Sequence, residues 1–105
     1  MIINEEVRVS DFAFEIFQKI RTLDGITKKQ ILESLDPSRN LIQLLKSGES
    51  KGKSGSFFFF SHDNKFIIKS MFEQEQDILM EHLKDYEKHL TLYPDSLIAR
   101  IYGIF

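Results

Sequence analysis

The sequence predicts an α+β domain, a small antiparallel β-sheet preceded by helices and covered by one long helix. Three observations carry that expectation. Ala13, Ile16, Phe17 and Ile20 recur at helical spacing. Two aromatic and β-branched runs, Phe57–Phe60 and Phe66–Ile68, flank the turn residues His62, Asp63 and Asn64, the pattern of a β-hairpin. Leu79, Leu83, Tyr86 and Leu90 then line one side of a helix running from about Phe72 to Leu90.

Each element has local signals. Ser10 or Asp11 is placed to cap the first helix, which should stop near Asp24 and Gly25. Thr27 and Gln30 form a capping box, in which each side chain satisfies a free backbone donor at the start of a second helix. Ile31, Leu32 and Leu35 give that helix an apolar side, and Asp36-Pro37 closes it. Leu41–Leu45 is ambiguous between strand and helix by pattern alone. Lys46–Ser56 holds three glycines and four serines among eleven residues and reads as a flexible loop. Four consecutive phenylalanines alternate between the sheet's two faces, so both faces need cover. Leu97, Ile98, Ile101, Tyr102 and Ile104 predict a last strand, with Gly103 as its bulge.

A chain of 105 residues, 42% apolar, fits one domain with a modest core. It has no cysteine, which excludes a disulfide scaffold and a thiolate metal site. The first residues carry acids where a secretory signal needs a basic end, and no apolar run approaches the roughly 18 residues of a membrane span. The net charge of −2 gives no reason to expect nucleic acid as a partner. Its distribution is uneven: Lys46–Lys69 carries +3 and Ser70–Asp95 carries −5. His62, His82 and His89 are scattered and form no metal-ligand motif.

The chemistry concentrates between Gly52 and Lys69. Glycines let backbone amides approach a phosphate closely, and Lys53, Ser54 and Ser56 add donors and charge around Gly52 and Gly55. A Walker A loop is excluded. Gly48 and Gly52 enclose three residues where that motif needs four, and phenylalanines follow where it needs a helix. The remaining phosphate cradle is a hairpin whose loop covers a nucleotide while a lysine on the next strand reaches its phosphates. Lys69 fits that place, and it should sit partly desolvated at the end of an apolar strand. A carboxylate on the following helix should pair with it; Glu73 and Glu75 both lie in the first turns there.

These residues resemble a known family. Gly52–Phe58, followed by Ser61–Lys69, is similar to the nucleotide-loop hairpin of the phosphatidylinositol phosphate kinases. The likeness runs from about Phe12 to Phe105, through Glu75, Leu79, Leu83, Tyr86 and His89 to Ser96–Ile104. It implies that Gly52, Lys53, Ser54, Gly55 and Ser56 contact ATP phosphates, that Lys69 pairs with the α- and β-phosphates, and that Glu75 orients Lys69. Lys51 stands where many members have proline. The resemblance also favours a strand for Leu41–Leu45.

It further implies that residues 1–105 are one partial kinase domain, the N-terminal lobe, with residues 1–11 flexible. The family continues beyond the position of Phe105 into a longer lobe that holds the catalytic aspartates, the Mg2+ ligands and the segment that selects the phosphoinositide. The expected function is therefore ATP binding for phosphate transfer to a phosphoinositide, in the cytoplasm and at a membrane surface. The segment alone is expected to be inactive, and a homodimer is among its expected states. The alternative is a catalytically dead lobe kept as a dimerisation or protein-binding module.

Overall fold

The computed structural model describes residues 10–49 and 58–105. Its elements are α1 (Phe14–Leu23), α2 (Lys28–Ser34), α3 (Leu41–Glu49), β1 (Phe58–Phe60), β2 (Ile67–Lys69) and α4 (Glu73–Leu92). The class is α+β. Among the described residues the sheet has two strands, antiparallel, with Phe58 opposite Lys69, Phe59 opposite Ile68 and Phe60 opposite Ile67.

The core lies between α1 and α4. Phe17 and Ile20 from α1 meet Leu83 and Leu90 from α4, all buried, with Ala13, Ile16, Leu79, Tyr86, Ile101, Tyr102 and Ile104 packed around them. These are the two apolar stripes visible in the sequence. α1 ends as expected, with Asp24 following the last turn and Gly25 at φ 70°, a left-handed conformation that glycine takes without strain. Its start differs from the expected Ser10 or Asp11 cap. Ala13 precedes the first turn at φ 48° with no side-chain cap, while the Phe12 amide bonds the Ile104 carbonyl instead. At α2 the capping box forms in both directions: Thr27 Oγ accepts from the Gln30 amide and Gln30 Oε1 from the Thr27 amide.

Two further expectations are corrected. Leu41–Leu45 is helical, as the first turns of α3. The Asn40 amide bonds the Asp36 carbonyl and the Leu44 amide bonds the Asn40 carbonyl, so the chain leaves Asp36 already winding. A helix satisfies its backbone from within, whereas a strand here would need a partner that the described sheet does not supply. Leu41, Ile42, Leu44 and Leu45 all remain exposed.

The second correction concerns Leu97–Ile104, which is irregular rather than a strand. Side chains take up the backbone groups a sheet would have used. The Tyr86 hydroxyl donates to the Ala99 carbonyl and accepts from the Ile101 amide. Arg100 donates to the Pro94, Ser96 and Ile98 carbonyls, and Arg21 to that of Tyr102. Gly103 marks a close approach and no bulge, for an added Cβ would stand 2.7 Å from the Phe105 ring. Tyr102 ties this strap to its surroundings through a 2.8 Å bond to Asp24 and an edge-on contact with Phe66 at 5.8 Å. Burial and the Asp24 carboxylate push the Tyr102 hydroxyl up to about 12.

A buried polar network joins the hairpin turn to the helices. Asp63 accepts hydrogen bonds of 2.6 Å from both Ser34 and Ser61. Asn40 donates to the Ser34 and Asp36 carbonyls and accepts from the His62 amide. Ser34, Asn40 and Ser61 are exposed by no more than 2%. Asn64 turns the hairpin at φ 57°, a conformation asparagine tolerates. Burial pushes the Asp63 carboxyl upward, but the bonds from Ser34, Ser61 and the Lys65 amide outweigh it and hold the group down at about 2.

Two outcomes follow from this packing. Leu83→Ala should cost about 3 kcal/mol of unfolding free energy, because it opens a cavity between α1 and α4; chemical denaturation measures it, and a loss below about 1 kcal/mol would contradict the packing described. The depressed Asp63 carboxyl stabilises the fold above its unfolded value near 4. That contribution is lost as the pH falls through about 2. Unfolding midpoints measured between those limits should fall more steeply for the wild type than for Asp63→Asn.

Candidate functional site

The hairpin and the start of α4 bring together two of the residues singled out in the sequence. Lys69 is the last residue of β2, and four residues later the chain enters α4 at Glu73. Its Nζ lies 3.6 Å from Glu75 Oε2. Glu73 and Glu75 both occupy the first turn of α4, where the positive end of the helix dipole favours acids. Among the described residues the ion pair to Lys69 comes from Glu75 and not from Glu73.

The pair is more exposed than the expected partial desolvation of Lys69. The Lys69 side chain is 57% accessible and that of Glu75 45%. An ion pair in that setting contributes at most about 1 kcal/mol, so it does not hold the fold together. It is also open to an incoming anion. Lys69 can turn one of its three donors toward a ligand oxygen while Glu75 keeps another.

The strand register defines what surrounds the lysine. Residues opposite each other in an antiparallel pair share a face, so Phe58, Phe60, Ile67 and Lys69 stand on one side and Phe59 and Ile68 on the other. On the lysine's side Phe58 is 60%, Phe60 52% and Ile67 62% exposed. The expectation that both faces are covered therefore fails within the described residues: Phe59 and Ile68 are half-buried, while the face with Lys69 is open. Apolar rings beside a cation form a surface that can take a flat aromatic group and an anionic one together.

Gly52, Lys53, Ser54, Gly55 and Ser56 lie outside the described residues, as does Phe57. Among the described residues no group of three or more His, Cys, Asp or Glu side chains could hold a metal ion, so no step is assigned to Mg2+ at the described part of the site. His62 donates from Nε2 to the Glu33 carbonyl, and His89 bonds the Ser96 hydroxyl; both rings have packing partners. A groove of about 310 Å³ between α1 and α2, lined by Phe14, Arg21 and Ile31 among others, includes neither Lys69 nor Glu75.

Sequence reasoning missed Ser34, Asn40 and Ser61 and read Asp63 only as a turn residue. The one signal in the sequence was their polarity beside apolar runs, which also describes ordinary turn and cap residues.

Known proteins extend the comparison beyond geometry. A sequence model of the phosphatidylinositol-4-phosphate 5-kinase family matches residues 40–105. A phosphatidylinositol 4-phosphate 5-kinase of Schizosaccharomyces pombe is 37% identical over 99 residues, covering 94% of this chain and 13% of that protein. A probable phosphatidylinositol phosphate kinase of Dictyostelium discoideum is 36% identical, covering 93% of this chain and 14% of that protein. The phosphatidylinositol 4-phosphate 5-kinase-like protein 1 of Mus musculus is 31% identical, covering 96% of this chain and 25% of that protein. The chain thus spans a quarter or less of the length of these relatives. No solved structure gives a significant match. The family match spans the hairpin, the Lys69–Glu75 pair and α4 together, and the chain belongs to the phosphatidylinositol-4-phosphate 5-kinase family.

Proposed function

We propose that this segment supplies the nucleotide side of a phosphoinositide kinase site. The observation that carries the proposal is Lys69 beside Glu75 at the edge of an open aromatic face. In this reading Lys69 meets the α- and β-phosphates of ATP, and Glu75 keeps its ammonium group aimed there. Phe58, Phe60 and Ile67 offer apolar surface for the base. The Gly52–Ser56 loop closes over the phosphates with its backbone amides and hydroxyls. Phosphoryl transfer relies on positioning and charge stabilisation, and a lysine held by a carboxylate contributes to both. The acceptor is a phosphoinositide head group at a membrane surface; no helix among the described residues is long and apolar enough to cross a membrane. In this reading the groups that bind Mg2+ and activate the acceptor belong to the greater part of the relatives' length that residues 1–105 do not span, and the segment alone is inactive.

The open face also favours a second reading, in which the lobe is a dimerisation or protein-binding module without chemistry. Exposed Phe58, Phe60 and Ile67 form an apolar surface of the kind that partners cover. The two readings differ toward nucleotide. With ATP at about ten times its dissociation constant, the first predicts a melting temperature raised by roughly 5 °C or more. The second predicts self-association by light scattering and no response to ATP.

The decisive assay is phosphate transfer from labelled ATP to phosphoinositide vesicles by a protein that carries this segment. Lys69→Met should lower the rate by about 100-fold or more, and Glu75→Gln should lower it less. Unchanged transfer in Lys69→Met would remove Lys69 from its assigned role.

A further inference from the structure

The strands of the hairpin are three residues each. A two-stranded hairpin this short is marginal by itself, and a slip of one residue turns every side chain to the opposite face. Such a slip would move Lys69 from the open side, beside Glu75, to the half-buried side of Phe59. Something beyond the ladder itself must therefore fix the register.

We infer that Asp63 and Asn40 are positioning residues: the polar network around the turn locks the hairpin register and thereby the face on which Lys69 emerges. Ser61 and Phe66 close the turn through two bonds, Ser61 amide to Phe66 carbonyl at 2.8 Å and Phe66 amide to Ser61 hydroxyl at 3.1 Å. The same Ser61 hydroxyl donates to Asp63, and the other oxygen of that carboxylate holds Ser34 at the end of α2. Asn40 acts from the other side. It spends its amide donors on the Ser34 and Asp36 carbonyls and its oxygen on the His62 amide.

A slipped hairpin would set Ser61 opposite a residue other than Phe66 and pull its hydroxyl away from Asp63. Ser34, Asn40 and Ser61 are buried to 98% or more, so water does not replace the broken bonds and each unpaired group costs its desolvation. The network thus penalises wrong registers more than it stabilises the right one. Its importance for catalysis rests on the proposed role of Lys69, but the register can be measured without any nucleotide.

The test uses nuclear magnetic resonance on the whole chain. Ser61 and Phe66 form a hydrogen-bonded pair, so Phe60–Ile67 and Phe58–Lys69 fall at the close, non-hydrogen-bonded positions. The wild type should show cross-peaks between the Hα protons of both pairs. Asp63→Ala and Asn40→Ala should lose them while contacts among Phe17, Ile20, Leu83 and Leu90 persist. Retention of both cross-peaks in both variants overturns the inference. Should Asp63→Ala unfold the whole chain, Ser34→Ala, which removes one donor to the carboxylate, decides by the same criterion.

Rescue supplies a readout that a merely stabilising role would not move. A disulfide between Phe60→Cys and Ile67→Cys should restore the Phe58–Lys69 cross-peak in the Asp63→Ala background, since the pair's geometry suits the bond. ATP binding should weaken by at least about tenfold in Asp63→Ala, and with the disulfide in place Asp63→Ala should cost no further affinity relative to the disulfide variant alone. Ile20→Ala, which loosens the core away from the hairpin, should leave the affinity of the folded chain unchanged; an equal loss there counts against positioning. If Lys69→Met leaves ATP binding intact while the cross-peaks respond as described, the phosphate reading fails and the register lock stands.

Discussion

The carboxylate of Asp63 accepts one hydroxyl from α2 and one from Ser61, the residue after β1, and through them it joins the helices to the hairpin. That junction sets where the hairpin stands, because a two-stranded ribbon has little hold on its own position or register. It also explains why polar groups occupy buried places in so small a domain. Ser34, Ser61 and Asn40 find partners within the network, which turns their burial from a cost into a geometric constraint.

α4 links that constraint to the site. Leu83 and Leu90 anchor the helix in the core, while its first turn carries Glu75 out to Lys69. The strap after Pro94 closes the arrangement from the far side, through Tyr86, Arg100 and the contact of Tyr102 with Phe66. A weak exposed ion pair therefore sits where the hairpin and α4 meet. On the proposed reading this suits its task. A pair that contributed strongly to folding would resist sharing the lysine with a phosphate.

The helical stripes, the capping box, the Gly25 stop and the hairpin turn were legible in the sequence because each depends on local chemistry. Leu41–Leu45 was not. Its apolar residues satisfy both periodicities, and the helix follows from a turn at Asp36–Asn40 that the backbone and side-chain amides of Asn40 both close on the Asp36 carbonyl. Leu97–Ile104 carried a strand pattern, yet its backbone found hydrogen-bond partners in distant side chains such as Tyr86 and Arg21. Of the site, Lys69 was legible as a strand-end lysine followed by the helix-start acids Glu73 and Glu75, and only the family resemblance chose Glu75 between them. The network behind them was invisible, since polar residues near a turn look alike until folding brings positions 34, 40, 61 and 63 together.

The most direct test of the central claim, that Lys69 stands at the phosphates of a bound nucleotide, is labelling with an acyl-phosphate derivative of ATP. Such a probe transfers its acyl group to a lysine amine lying against the phosphates, and peptide mass spectrometry identifies the acceptor. The account predicts acylation at Lys69 that excess ATP suppresses, with Glu75→Gln reducing its extent. Labelling spread evenly over the surface lysines, or ATP-protected labelling confined to another lysine, would contradict it.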